Sequence, residues 1–208
     1  MKLTKKLSII VCSLTTALVS TAVITNAYKS VAQAEGPELI TNGSFEVDPL
    51  ADPNDPSQTT PNPNVTGWTK SEPNNPTDTP GVNTSGIRIS NSANTGNQGL
   101  SLSGFSGISS ISQSIPTVRG QNYILTFYLA SIEEPPDVNN KVQVLIDRKE
   151  DDDKDGKKFF SSKNIPFQPY TKYTVSFKAK GASTKIEFAY KTSKAFLFLD
   201  DVSVKSTD

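Results

Sequence analysis

Tyr123-Ile124-Leu125-Thr126-Phe127-Tyr128-Leu129-Ala130 decides the fold. Tyr123, Leu125, Phe127 and Leu129 point one way and Ile124, Thr126 and Tyr128 the other, the two-residue period of a pleated strand with one buried face. The same period recurs outward. Upstream, Ile87 and Ile89 alternate with Arg88 and Ser90, Leu100 and Leu102 alternate with serines, and Ile108, Ile111 and Ile115 sit in a serine-rich run. Downstream come Val142 to Ile146, a strand near Phe159, Tyr173 to Phe177, Ile186 to Tyr190 and Phe196 to Val204. Residues 39–47 read as a short first strand turning at Asn42-Gly43. Helical periodicity is absent over any stretch of ten residues, so eight or nine strands at this spacing predict an all-β, two-sheet antiparallel sandwich.

The first 34 residues are read apart from this fold. Lys2, Lys5 and Lys6 precede an apolar run from Leu7 to about Ile24, and small residues end at Ala32-Gln33-Ala34. That is the pattern of a secretory signal peptide cleaved after Ala34, with Thr25-Asn26-Ala27 as an earlier alternative site and an uncleaved N-terminal anchor as the other reading. Residues 35–208 then form a single domain, secreted or at the cell surface, with no membrane association after cleavage. No apolar tail follows Val204, so no C-terminal membrane anchor is expected.

Composition narrows the chemistry. The one cysteine, Cys12, lies in the leader, and the chain has no histidine. Disulfides, thiolate nucleophiles and histidine-containing triads are therefore excluded from residues 35–208. The whole chain carries 21 basic and 21 acidic residues, but the leader holds four lysines and no acid, leaving 17 against 21. A mildly acidic body with arginine only at Arg88, Arg119 and Arg148 predicts no nucleic-acid partner.

From Asp48 to Gly81 the chain has eight prolines, many Asn, Asp and Thr, and few apolar residues. Such a composition packs no element of its own and reads as a long surface loop, either an insertion or part of a binding rim.

Three stretches carry a resemblance. Asn42-Gly43-Ser44-Phe45-Glu46 with Gly67-Trp68, Ile111-Ser112-Gln113-Ser114-Ile115 leading through Gly120 into Tyr123 to Phe127, and Phe198-Leu199-Asp200-Asp201-Val202-Ser203-Val204 resemble, in this order, the CenC-type carbohydrate-binding modules and the related galactose-binding-domain-like domains of choice-of-anchor exported proteins. The resemblance implies a jelly roll whose first and last strands lie side by side with a structural calcium ion where they meet. Glu46 and Asp200 match its acidic ligands, and backbone oxygens near Gln98 would complete the cage. Calcium wants six to eight hard oxygens, and an ion joining both chain ends would staple a domain that has no disulfide. The plainer alternative makes Glu46 a surface acid and Asp200-Asp201 the start of a turn.

Other candidates each stand against a plainer reading. Asp151-Asp152-Asp153-Lys154-Asp155-Gly156 has the opening of an EF-hand loop but Ser162 at the twelfth position, which favours a solvated hairpin tip. Trp68, the single tryptophan, is either a sugar platform or the closure of a core edge. Arg88, Tyr128 and Gln143 project opposite the core residues of their strands and would form a polar glycan-binding face, or else ordinary solvated strand surface. A glycosidase needs two carboxylates at a fixed separation, and no pair is singled out. The expected function is thus noncatalytic binding of a polysaccharide or glycoconjugate. The alternative is a structural or adhesive matrix protein that makes protein contacts and binds no sugar.

Overall fold

The computed structural model describes residues 36–50, 64–71, 86–104, 107–131, 139–147, 158–192 and 196–207, of which 158–161 by backbone alone. The leader, most of the 48–81 loop and the acidic 151–156 tip lie outside the described residues. The described residues form ten strands: β1 (Thr69–Ser71), β2 (Gly86–Ser90), β3 (Gly99–Ser103), β4 (Ser109–Pro116), β5 (Asn122–Ser131), β6 (Lys141–Ile146), β7 (Lys158–Lys163), β8 (Gln168–Lys178), β9 (Ser183–Lys191) and β10 (Leu197–Ser206). The described residues contain no helix. Two five-stranded sheets result, ordered β1-β4-β9-β6-β7 (the first sheet) and β2-β3-β10-β5-β8 (the second), with every pairing antiparallel. The molecule is the all-β jelly-roll sandwich that the alternation and the resemblance imply.

The period-two pattern is the cause of this arrangement. Leu125, Phe127, Leu129, Leu100, Leu102, Leu199 and Val204 of the second sheet meet Ile111, Val142, Val144, Ile186, Phe188 and Tyr190 of the first, all buried. A fully buried side chain of this size contributes about 1.5–3 kcal/mol. Phe127 and Phe188, one from each sheet, cross edge to face at 5.1 Å. A one-residue slip of either strand would carry both rings to the solvent side, so the register is strongly specified.

The segment read as a first strand differs from that expectation. Residues 39–47 form turns and bends, because Asn42 and Phe45 sit at φ 52° and 57°, in the left-handed region that no pleat accommodates. The chain still runs beside β10: Leu39 N–H donates to Val204 O at 3.0 Å and Val202 N–H to Gly43 O at 2.9 Å. Residues 36–43 therefore meet the last strand through single backbone bonds instead of a ladder. β1 is the strand that the composition concealed, three residues long inside the Pro-rich stretch. Ile108, expected in a half-buried strand, precedes β4 and is exposed.

Candidate functional site

The motif residues near the N-terminus build structure. Asp48 accepts from the Thr66 amide at 2.8 Å and the Thr66 hydroxyl at 2.7 Å, and the Asn42 side-chain amide donates to both Asp48 and Thr66 O. These bonds clamp the turn at 64–68 onto the turn at 42–48. Trp68 is held between them. Its ring centroid lies 5.8 Å from that of Phe45 and 6.3 Å from that of Phe188, and its Nε1–H donates to Asn42 O at 3.1 Å. At 8% exposure it presents no face to a ligand, which corrects its place among the candidate sugar contacts. An indole closes the sandwich here because its one polar atom finds a backbone acceptor.

Glu46 and Asp200 close on a single loop, the β2–β3 connection. Glu46 Oε1 accepts the amides of Asn97 and Gln98, both at 2.7 Å. Asp200 Oδ2 accepts those of Asn94 at 2.7 Å and Thr95 at 3.2 Å, while its Oδ1 takes the Asp201 amide. Asp201 holds the Asn94 and Thr95 side chains. The Tyr170 hydroxyl of β8 donates to Ser92 O at 2.9 Å, so the loop folds across the outer face of the second sheet. Burial pushes the Tyr170 phenol up, and it pushes the Asp200 carboxyl up to about 6 against the opposing Asn94 and Asp201 amides.

For a hard cation this set is incomplete, because Glu46 Oε1 and both Asp200 oxygens are turned to N–H donors, although two features favour positive charge here. The carboxylates come from segments far apart in sequence onto one loop, and Asp200 is a fully buried acid whose charged form a divalent ion would stabilise. No group of three or more acidic side chains gathers among the described residues, so the remaining ligands would have to be other oxygens, such as backbone carbonyls. Gln98 serves this corner as a donor, from Nε2 to Phe45 O at 3.2 Å and Asp48 O at 3.0 Å.

The three strand residues expected to share a binding face do not meet. Arg88 and Tyr128 lie on the outer face of the second sheet and Gln143 on the outer face of the first, with the core between them. Arg88 is 1% exposed, with its guanidinium 5.0 Å from the Phe196 ring centroid and Nη1 donating to Ser103 Oγ at 3.3 Å. It is a packed residue, and its expected role as an open glycan contact is corrected accordingly. The alternation gave each side chain's phase correctly, but phase is blind to which sheet a strand joins and to what folds over it.

A different surface has the shape of a site. On the outer face of the first sheet, Thr69, Lys70, Ser71, Ser110, Ser112, Lys185 and Glu187 line a groove of about 440 Å³. Register sets its floor: Thr69 lies opposite Ser112 and Ser112 opposite Glu187, while Glu187 faces Leu145; one pleat further on, Ser71, Ser110, Ala189 and Gln143 follow in a row. Although these side chains point away from the core, Ser112, Glu187, Leu145 and Ala189 are all buried. The floor is therefore sunken, with short hydroxyl side chains in its middle. Lys185 Nζ lies 3.7 Å from Glu187 Oε2. Glu187 is the only carboxylate among the described lining residues. The outward serines of β4 and the Lys185–Glu187 spacing were visible in the sequence, but nothing there marked them above other polar strand positions.

Residues 38–205 match the family model described as Protein of unknown function (DUF642). No curated protein sequence matches the chain. Among solved structures, a family 61 carbohydrate-binding module in complex with β-1,4-galactotriose superposes with a TM-score of 0.53 at 12% identity, over 81% of this chain and 98% of that one. The C-terminal family 22 carbohydrate-binding module of Clostridium thermocellum Xyn10B gives 0.52 at 10% identity, over 85% and 96%. The tandem family 22 modules of Paenibacillus barcinonensis Xyn10C give 0.51 at 15% identity, over 84% and 46%. At these identities the likeness is one of fold.

Proposed function

Since the chain belongs to the DUF642 family and folds as carbohydrate-binding modules do, we propose that it is an exported, noncatalytic module that binds polysaccharide or glycoconjugate in the groove of the first sheet. The observation that carries this reading is the sunken floor of hydroxyls beside one acid, Glu187, and two lysines, Lys70 and Lys185. Neutral sugars are bound by such convergent hydrogen-bonding groups, held on rigid strands so that little entropy is lost on contact. Ser71, Ser110, Ser112, Gln143, Lys185 and Glu187 are the residues assigned to it. Calcium belongs to the same reading as a structural ion: Glu46 and Asp200 would hold it, fastening the β2–β3 loop far from the sugar. It would supply charge neutralisation and rigidity there, and no chemistry at the groove.

Retention on immobilised polysaccharides, compared between the protein and two variants, tests the assignment. Ser110→Trp places an indole over the floor from an outward position and is expected to abolish retention. Tyr128→Ala, on the opposite outer face, is expected to leave it unchanged. Retention lost with Tyr128→Ala and kept with Ser110→Trp would move the site to the second sheet; no retained glycan at all would remove the reading.

A further inference from the structure

The whole-chain charge balance hides a local concentration. In the first sheet Lys141 lies directly opposite Lys163 on one side and directly opposite Lys191 on the other, so three lysines from β7, β6 and β9 form one row. Lys141 alternates with the buried Val142 and Lys191 with the buried Tyr190, which sets the row on the outer face. Lys163 and Lys191 are exposed and Lys141 is half-buried. Neighbouring strands are about 4.8 Å apart, so the row spans about 10 Å.

Like charges directly opposite each other weaken a sheet, and nothing in the packing calls for three of them, since none is in the core. The row lies on the groove's own face. One pleat separates it from Gln143 and Ala189, and the groove floor at Ser110, Ser112 and Glu187 continues from there. At the far end Lys185 stands between Glu187 and Asp147, which accepts its amide at 3.0 Å, and Lys70 lines the groove edge, so lysines outnumber carboxylates among the described residues around this floor and the row of three has no carboxylate within it. A ligand lying along the floor would meet hydroxyls first and then a line of positive charge.

We infer that the glycan of this face is acidic, a polysaccharide bearing carboxylates of the uronic acid kind, whose rings lie over the serine floor while its carboxylates pair with Lys141, Lys163 and Lys191. The inference rests on the glycan-binding reading of the groove and adds the charge of the ligand to it. A lysine ammonium suits this task as a point charge on a flexible stem, able to follow carboxylates that repeat along a polymer. Pairs of this exposure are screened by salt, so the preference is strong at low ionic strength and fades as it rises.

The test compares polygalacturonate with the same polymer fully methyl-esterified, which keeps the backbone and removes the charge. Binding of the protein to each is measured by calorimetry at low and high salt. The expected result is at least a tenfold preference for polygalacturonate at low salt, lost in the triple variant Lys141→Gln, Lys163→Gln, Lys191→Gln and strongly reduced at high salt. The triple variant should melt at or above the wild-type temperature, because it removes repulsion and no core contact. Equal binding of both polymers, blocked by Ser110→Trp, would overturn the acidic-ligand inference while leaving the groove as a glycan site. A single-stranded DNA oligonucleotide bound as tightly as polygalacturonate would overturn it in another way, marking a surface for polyanions in general. If neither polymer binds and no other glycan is retained, the failure lies with the groove reading itself.

Discussion

Replacing Trp68 by alanine separates a core indole from a sugar platform. The ring is 8% exposed, packed against Phe45 and Phe188, and its nitrogen donates to Asn42 O. Removing it leaves a cavity at the end of the sandwich and an acceptor without its donor, which together cost about 3–5 kcal/mol. For a domain of this size each kcal/mol lowers the melting temperature by roughly 2–4 °C, so a fall of about 10 °C is expected for Trp68→Ala. Trp68→Phe keeps most of the ring contact and loses the hydrogen bond, at about 1–2 kcal/mol. Far-ultraviolet dichroism melts read both values. Because the chain has one tryptophan, its fluorescence reports on this corner alone, and saturating glycan should leave the wild-type emission unshifted. Glycan retention per folded molecule should persist in both variants below their melting temperatures. A Trp68→Ala protein that melts within about 2 °C of wild type, or that stays folded and loses retention, would refute the assignment of Trp68 to the core.

Three further outcomes follow from the same geometry. Gly43→Ala drives a Cβ into the Val202 carbonyl oxygen, which is backbone and cannot swing aside; it should destabilise by about 1–3 kcal/mol in a urea melt, by loosening the contact between residues 36–43 and the last strand. Asn140 is 1% exposed and pairs both backbone groups of Ile165, accepting at 2.6 Å and donating at 3.1 Å, so Asn140→Ala orphans a buried donor and acceptor and should cost about 2–4 kcal/mol in the same assay. Calcium at a hundred times its dissociation constant should raise stability by about 2.7 kcal/mol, read as a higher melting temperature that chelator reverses; an unchanged temperature would leave Glu46 and Asp200 as ligands of loop amides alone.

The alternation of Tyr123 to Ala130, Ile87 to Ser90 and Ile186 to Tyr190 was enough to determine an all-β sandwich and to assign each of these side chains to an inward or outward phase. Burial of one face at period two is a local property, and the sequence carries it residue by residue. The absence of histidine and the confinement of cysteine to the leader likewise settled which chemistries residues 35–208 lack. Other features had no local trace. Phe45 looked like a strand residue beyond the turn expected at Asn42-Gly43, and only the tertiary contacts that bury Phe45 and tie Asn42 to Asp48 and Thr66 hold both in the left-handed region. Arg88 and Gln143 share an outward phase yet lie on opposite sides of the molecule, because sheet membership depends on which distant strand each one pairs with. Lys141, Lys163 and Lys191 are scattered along a chain of balanced charge. It is antiparallel register, a relation between segments far apart in sequence, that sets them side by side next to a groove.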